Sequence, residues 1–437
     1  MFDDDSSQPS RRAFLKTAGV TTATMALAGC SNVLGPSQST DSKSVTIKTR
    51  HYGTGEMEEY LEKHTKQFEK DEGITVEYEI IGWGDGPDAQ KQDMRTQSGP
   101  DVDEIPSSFI PGYSALDGFQ DLNQVKVDIN TDAFFDNPLG IGKYNDKFIG
   151  IPWFWGPRAH ISYMPELEKA GIDAPPKSWD ELVSKGNAYN KENSDKHLFG
   201  IPTQSNVSQF FADFVWQNGG ALLNDDNSKA TFDSSEAVDA LNFYKDLQST
   251  HSVMPKDTAE WDGEQRDSRF LNHKIQSTWA SLATVDNFTS KESISKEDIK
   301  ITKPPAGPNG DSAIFYGLEL VGIHPWTDHP EEAAKWLNYL AKPSVNAEVA
   351  QTTGFLPAVE KSFEQDSFDD PVWQGFYDIT EIGKTFPQVE NWGKVEDIMN
   401  GAIKGVLQDA ATGKWSDGDT KKALKDAAKQ ANSELGN

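Results

Sequence analysis

The sequence predicts an α/β fold in which strands and helices alternate along the chain. Residues 44–49 alternate in polarity, residues 57–71 carry apolar side chains at helical spacing, and residues 75–81 are rich in β-branched side chains. This order is a strand–helix–strand unit. The chain has 437 residues, which is long enough for two or three domains, each with its own core.

Later helices have recognisable starts. Ser178 with Glu181, and Asp233 with Glu236, both fit a capping box, in which the first side chain accepts a backbone N–H of the first turn. Pro330 fits the first turn of another helix, where its missing N–H costs nothing. Strands that alternate with such helices favour a sheet covered by helices in each domain.

The N-terminus predicts export rather than a first helix of the fold. Arg11 and Arg12 precede a weakly apolar run, 17–28, which is far shorter than the roughly 20 residues that span a bilayer. The pair is typical of a twin-arginine (Tat) signal peptide covering 1–29. The run ends at Cys30 after small residues, which resembles a lipobox with a lipidated cysteine. The alternative is an unrelated surface tail with a chance arginine pair.

Cys30 is the single cysteine of the chain. An intramolecular disulfide, a cysteine metal site and a catalytic thiol elsewhere in the chain are therefore excluded. Residues 30–43 are rich in Ser, Gln, Asn, Pro and Thr without apolar periodicity, which predicts a flexible tether between the anchor and the first domain.

The formal net charge is −28, and acidic residues are dispersed over the whole sequence. Nucleic acids and anionic lipid headgroups require basic patches, so we expect no nucleic-acid partner. Dispersed acidic charge, whose self-repulsion salt must screen, is typical of halophilic proteins. The alternative is an acidic mesophilic protein with a calcium site, although no loop of the EF-hand type is present.

Several blocks of the sequence resemble, in their order, family 1 extracellular solute-binding proteins, the sugar-binding components of ABC importers. The first blocks are 150–153, 161–163, 167–172 and 175–182. The later blocks are 216–220, 270–279, 305–307, 330–340, 354–357 and a closing helix around Ala423. The Pro-Pro-Lys-Ser-Trp-Asp-Glu-Leu block at 175–182 is the most specific of them.

The resemblance implies a two-lobed periplasmic-binding-protein-like fold of type II, with a hinge and an interlobe cleft that closes on the ligand. Crossings are expected near 152–157, 302–307 and 355–358, where prolines and glycines suit hinge segments. Lobe 1 would combine 44–153 with 306–354, and lobe 2 would combine 157–302 with 358–437. The implied protein is a monomer without a cofactor, whose partners are a sugar, an ABC permease and the membrane.

A sugar site needs aromatic faces for the C–H faces of the ring. Trp153 and Trp155 flank the first crossing, and alternate residues of an extended segment share a face. Their alternative role is packing between the lobes. The resemblance adds Trp279 and Trp392, which lie at positions where relatives present aromatic residues to the cleft. Two weaker candidates, Trp83 and Tyr316, could instead be buried at strand ends.

A sugar site also needs polar groups for the hydroxyls. Arg158 follows the aromatic pair, and Glu319 interrupts an apolar run, where an acid is costly without a partner or a cleft. A salt bridge within one lobe would also explain Glu319. Asp101 matches an aspartate of the family, although capping of a turn is its commoner role. Relatives that bind maltose carry a tryptophan and charged contacts where this chain has Ile105, Ser108 and Phe109, so maltose itself is not expected.

Two other classes of function are an enzyme and a binder of a solute that is not a sugar. A secreted acidic protein could be a glycoside hydrolase with paired carboxylates, but the sequence has no Gly-x-Ser-x-Gly, His-Glu-x-x-His or phosphate-loop motif, so no enzyme is predicted. A binder of metal, phosphate or peptide remains a second alternative. Asn206 and Asn287 each begin an Asn-x-Ser/Thr triplet that could accept a glycan in a secreted chain.

Overall fold

The computed structural model describes residues 45–53, 55–290 and 294–436. The signal peptide, the lipobox and the tether predicted for residues 1–43 lie outside this part of the chain. Within it, no helix combines the length and the apolar character needed to cross a membrane.

Strands and helices alternate as the sequence predicted. The strands are β1 Thr46–Tyr52, β2 Thr75–Ile81, β3 Val102–Pro106, β4 Lys143–Tyr144, β5 Lys147–Phe148, β6 Ile151–Tyr163, β7 His197–Phe199, β8 Ile275–Ser281, β9 Ile299–Thr302, β10 Ile314–Ile323, β11 Leu356–Pro357 and β12 Gly383–Lys384. The helices are α1 Gly55–Glu72, α2 Gly86–Thr96, α3 Ile110–Ala115, α4 Asp136–Ile141, α5 Met164–Lys169, α6 Trp179–Glu192, α7 Val207–Gln217, α8 Ser235–Ser249, α9 Gly263–Leu271, α10 Leu282–Thr289, α11 Pro330–Leu340, α12 Pro343–Thr353, α13 Pro371–Tyr377, α14 Trp392–Ala411 and α15 Asp419–Leu435.

One long strand connects the two halves of the main sheet, whose order is β2-β1-β3-β10-β6-β8-β7. The first half of β6, up to Pro157, pairs antiparallel with β10. Its second half, from Arg158, pairs antiparallel with β8 and then with β9. The change of partner at Pro157 and Arg158 therefore marks the point where the chain passes from one half of the sheet to the other.

The first half of the sheet is covered by α1. The apolar stripe predicted for this helix is buried and includes Met57, Tyr60, Leu61 and Phe68. Trp336 of α11 packs edge-on against Phe68, with ring centroids 5.1 Å apart. This contact confirms the prediction that Trp336 serves helix packing.

The second half of the sheet is built around α7, which is buried over almost its whole length. Phe214 of this helix lies 4.8 Å from the ring of Trp279 on β8. Trp179, at the start of α6, stacks on Phe243 at 4.0 Å, as expected of a packing residue. A helix that is buried over almost its whole length is the expected centre of a large core.

Two of the three predicted helix starts are correct. The Ser178 hydroxyl accepts the Glu181 N–H at 3.2 Å, and α11 begins at Pro330. The third start is displaced by one residue, because Ser234, and not Asp233, caps α8 and accepts the Ala237 N–H at 3.2 Å. Asp233 and Ser234 are both good caps, so the pattern alone cannot separate them.

Candidate functional site

A cavity of about 450 Å³ lies where β6 changes partner. β6 and β10 supply its floor, and loops from both halves of the sheet supply its walls. Its aromatic lining consists of Trp83, Phe109, Phe154, Phe315, Phe355 and Phe386. Its polar lining consists of Ser107, Ser108, Arg158, Asn206, Gln209, Ser281, Glu319, Thr385 and Gln388. Flat apolar faces with a few convergent polar groups are typical of a small-molecule site.

Trp83 forms an exposed aromatic platform on one wall. Its side chain is 52% exposed, and it stacks almost parallel on Tyr52 at a centroid distance of 4.3 Å. Tyr52 is buried, and its hydroxyl donates to Gln90 Oε1 at 2.7 Å, which fixes the lower ring. An indole held in this way by its neighbour is pre-organised for a second stacking partner on its open face.

Arg158 lines the cavity from the second half of β6. Its guanidinium lies 5.7 Å from the ring centroid of Phe210 and 5.4 Å from that of Phe315. Burial lowers the pKa of Arg158 to about 10, although the nearby Asp213 carboxyl opposes this shift. Asp213 Oδ1 accepts the Phe315 N–H at 2.6 Å. Arg158 therefore remains a hydrogen-bond donor at neutral pH, with a buried acid behind it.

Glu319 lies on the cavity floor, on β10. Its Oε2 atom is buried and has no hydrogen-bond partner within the described residues. Burial, and secondarily the charge of Glu104, raise the pKa of Glu319 well above its usual range. Within the described residues Glu319 forms no ion pair, so a salt bridge within one lobe does not explain its position.

The structure differs from the prediction for the tryptophan pair on β6. Trp153 and Trp155 do share a face of the strand, but they point into the core and do not line the cavity. The residues that face the cavity are Phe154, Gly156 and Arg158, which alternate with them. The residues that line the cavity are therefore one position away from the predicted pair, and in a strand a step of one residue moves a side chain to the opposite face.

The tryptophan pair is held in the core by its neighbours. Trp153 contacts His51 at a ring distance of 4.6 Å, and Trp155 donates from Nε1 to the Pro357 carbonyl oxygen at 3.0 Å. Tyr316 is also buried, with its ring 5.5 Å from that of Trp155, and it is absent from the cavity lining. All three side chains pack the junction of the two sheet halves.

Trp279 and Trp392 are also core residues, and neither lines the cavity. Trp279 is fully buried on β8 and donates from Nε1 to His160 Nδ1 at 3.2 Å. Trp392 is buried at the start of α14, with its ring 4.9 Å from that of Phe386. Each lies one layer behind the lining, because Ser281 and Phe386 reach the cavity in their place.

Asp101 serves neither as a cavity contact nor as the cap of a following turn. Its carboxylate accepts the Lys48 N–H at 2.7 Å and the Thr327 hydroxyl at 2.6 Å, which ties the turn before β3 to its neighbours. It does not line the cavity. Of the nine predicted contact residues, the lining contains Trp83, Arg158 and Glu319.

Several phenylalanines of the lining were not predicted from the sequence. Strict alternation along β6 could have identified Phe154 from Arg158. Phe386 and Thr385 come from a loop far along the chain, and no local pattern marks them. Asn206, the first residue of a predicted glycan acceptor, lines the cavity, whereas Asn287 is exposed on α10. The described residues include no group of three or more His, Cys, Asp or Glu side chains arranged to hold a metal ion.

Comparisons with known proteins agree with this geometry. Residues 63–374 match the family described as bacterial extracellular solute-binding protein. A binding protein of Brucella abortus is 24% identical over 416 residues, which cover 94% of this chain and 97% of the relative. The diacetylchitobiose binding protein of Streptomyces coelicolor is 24% identical over 378 residues, 85% of this chain and 84% of that protein.

The structure of the sugar-binding protein MalE from Xanthomonas citri superposes with a TM-score of 0.78 at 20% identity, covering 90% of this chain and 97% of that one. This likeness confirms the predicted two-lobed periplasmic-binding-protein fold. The family consists of solute-binding proteins and not of enzymes, in agreement with the prediction. Since the match covers well over half of the sequence, the chain belongs to the bacterial extracellular solute-binding proteins.

Proposed function

We propose that this protein captures a sugar outside the cell and delivers it to the permease of an ABC importer. The observation that carries the proposal is the cavity lining, in which six aromatic side chains alternate with serines, amides, an arginine and an acid. Aromatic faces fit the C–H faces of a pyranose ring, while the polar groups can exchange hydrogen bonds with its hydroxyls. A relative that is a diacetylchitobiose binding protein and a structural neighbour that is a sugar-binding protein support the same class of ligand.

We also propose how the two lobes divide the chain. Lobe 1 would combine 44–153 with 306–354, and lobe 2 would combine 157–302 with 358–437. The change of partner on β6 supports a crossing near 152–157. Gly354, with φ of +65° at the end of α12, supports another near 355, since a Cβ there would lie 2.8 Å from the Cα of Ala283 on α10. Closure about these crossings would bury the ligand between Trp83 and Arg158.

The aromatic platform gives a direct test of the proposed site. We expect Trp83→Ala to weaken saccharide binding by about 1–2 kcal/mol, roughly tenfold, because the exposed ring contributes contact area and stacking to the ligand. Calorimetry with a panel of glucose, maltose and diacetylchitobiose measures this effect. Thermal melts should change little, because the side chain is half exposed.

Trp415→Ala is the matched control, since this indole lies outside the cavity lining and packs against Lys245, whose Nζ is 3.9 Å from the ring centroid. It should leave saccharide affinity unchanged. Equal affinities of the wild type and Trp83→Ala for a saccharide that binds would remove Trp83 from the site. A panel in which no saccharide binds, while a peptide, a metal or phosphate does, would overturn the proposed function.

The proposed cellular location follows from the N-terminal sequence. We propose export by the Tat pathway, removal of 1–29 and lipidation of Cys30, so that the tether 30–43 holds the binding unit at the membrane surface. Cys30→Ser should therefore release a folded protein that binds saccharide as well as the wild type does. Cell fractionation checks this result, and a serine variant that still sediments with membranes in high salt would contradict it.

A further inference from the structure

Glu319 of β10 lies on the cavity floor, and Glu104 lies on the neighbouring strand β3. Glu319 Oε2 and Glu104 Oε1 are both buried without a hydrogen-bond partner in the described part of the chain. Burying an unsatisfied carboxyl oxygen is costly for the fold. Of the two residues, Glu319 lines the cavity, so a ligand group can approach its carboxyl, whereas Glu104 is not part of the lining.

The strands packed against Glu319 provide little compensation for its charge. On β3, Glu104 is itself an acid, and its Oε2 accepts the Tyr52 N–H at 2.9 Å. On β1, His51 lies with Nδ1 at 3.6 Å from Glu104 Oε2, and the Tyr52 hydroxyl is already donated to Gln90. On the other side, β6 presents the uncharged Phe154.

Two cations lie near the cavity, and neither is paired with Glu319. Lys91 of α2 is not part of the lining and lies 5.8 Å from the ring centroid of Phe109. Arg158 lines the cavity from β6, and its electrostatic partner is Asp213. The turn at 107–109 contributes hydroxyls and one aromatic ring but no charge.

We propose that Glu319 selects solutes by charge, so that the cavity accepts neutral and amine-bearing saccharides and rejects saccharides that carry a carboxylate. This inference rests on the proposed sugar-binding function and assigns a specificity determinant within that site. A hydroxyl or an ammonium donates to the carboxyl oxygen that reaches the cavity. A carboxylate brings a further negative charge next to Glu104 and Glu319, in a region that screens charge poorly.

The protonation of Glu319 makes this selection depend on pH. Burial and the charge of Glu104 raise the pKa of Glu319, and a bound ammonium opposes this shift because it stabilises the carboxylate. An ammonium binds best to the ionised carboxylate, so its binding releases a proton and strengthens as the pH rises. A neutral hydroxyl binds without this requirement, and its affinity depends less on pH.

Three hexoses test the inference with the full-length protein. Calorimetry at about pH 5 and about pH 7 compares glucose, glucosamine and glucuronate, which are similar in size and differ in charge. The expected order at pH 7 is glucosamine, then glucose, with glucuronate weaker than glucose by roughly tenfold or more. Glucosamine should bind more tightly at pH 7 than at pH 5.

The variant Glu319→Gln keeps the shape of the side chain and removes its charge. It should abolish both the order of affinities and the pH dependence, whereas Glu360→Gln, which removes an exposed carboxylate elsewhere, should change neither. Glucuronate binding as tightly as glucose to the wild type would overturn the inference. An unchanged order in Glu319→Gln would overturn it as well.

A second measurement decides the question if none of the three hexoses binds. In ligand-free melts, Glu319→Gln should melt above the wild type, by a margin that grows from about pH 5 to about pH 7. The reason is that a carboxyl whose folded pKa is raised loses stability as the pH rises above its unfolded value. A constant margin contradicts the inference. Failure of the proposed function is seen separately, as the absence of binding to every saccharide in the panel.

Discussion

Trp279→Ala is expected to lower the free energy of unfolding by about 3–5 kcal/mol, because it empties a large site in the core of the second half of the sheet. The indole is fully buried. It packs against Phe214 at 4.8 Å and Phe199 at 5.6 Å, and its N–H is satisfied by His160. Alanine would remove all of these contacts and leave a cavity that the surrounding rings can fill only in part.

Urea unfolding measures the loss, and calorimetry on the remaining folded protein measures saccharide affinity. We expect a lower midpoint with an unchanged slope, and an affinity per folded molecule close to that of the wild type. Trp83→Ala is the complementary variant, since it removes the same side chain from an exposed position. If Trp279→Ala kept full stability and lost binding, the indole would belong to the ligand site and not to the core.

The fold was largely predictable because local patterns and burial agree. The apolar spacing of α1 predicts which of its side chains are buried, and Ser178 and Pro330 mark real helix starts. These features depend on residues within one or two turns of each other. The order of strands in the sheet was not predictable from such patterns, since β10 joins β3 to β6 from far along the chain.

The candidate site was only partly predictable, because the size of an aromatic side chain favours a place in the core while its flat face favours contact with a sugar. Tryptophan is suited to stacking on a sugar, but it is also the largest side chain available to fill a core. In this protein Trp153, Trp155 and Trp279 fill the core, while phenylalanines and Trp83 line the cavity. The face of a strand that is exposed to a cavity depends on packing between distant segments, which one sequence does not reveal.

Polar residues were the more reliable guide to the cavity. Glu319 was identified because it interrupts an apolar run, where a charge is costly without a function or a partner, and Arg158 because it follows the aromatic pair. The same argument applies to Asp213 and His160, two buried polar residues behind the lining that the sequence analysis did not select. An apolar segment broken by one ionisable group therefore predicts the neighbourhood of the site better than its aromatic content does.

His160 is expected to make the protein lose stability as the pH falls. Burial lowers its pKa to about 3, since no charged partner compensates for the desolvation of the ring. The unfolded chain takes up this proton near pH 6.5, whereas the folded protein does not, so acid favours unfolding. The stability that the neutral ring contributes is present above about pH 6.5 and is lost as the pH falls from there towards about 3, reaching about 2 kcal/mol by pH 5.

His160→Gln isolates this effect, because the amide oxygen can still accept the Trp279 N–H while the side chain no longer titrates. Urea unfolding of both proteins between about pH 7 and about pH 5 should give a stability difference that moves in favour of the variant as the pH falls. The free energies of unfolding of the wild type and the variant are compared at each pH, because buried acids also titrate. Burial raises the pKa of Asp213, for example, so Asp213 stabilises both proteins as the pH falls, and this contribution cancels in the difference. His329→Gln, at a partly exposed histidine, is the control and should not reproduce the trend. A difference that stays constant over this range would mean that His160 is already protonated, or hydrated, in the folded protein.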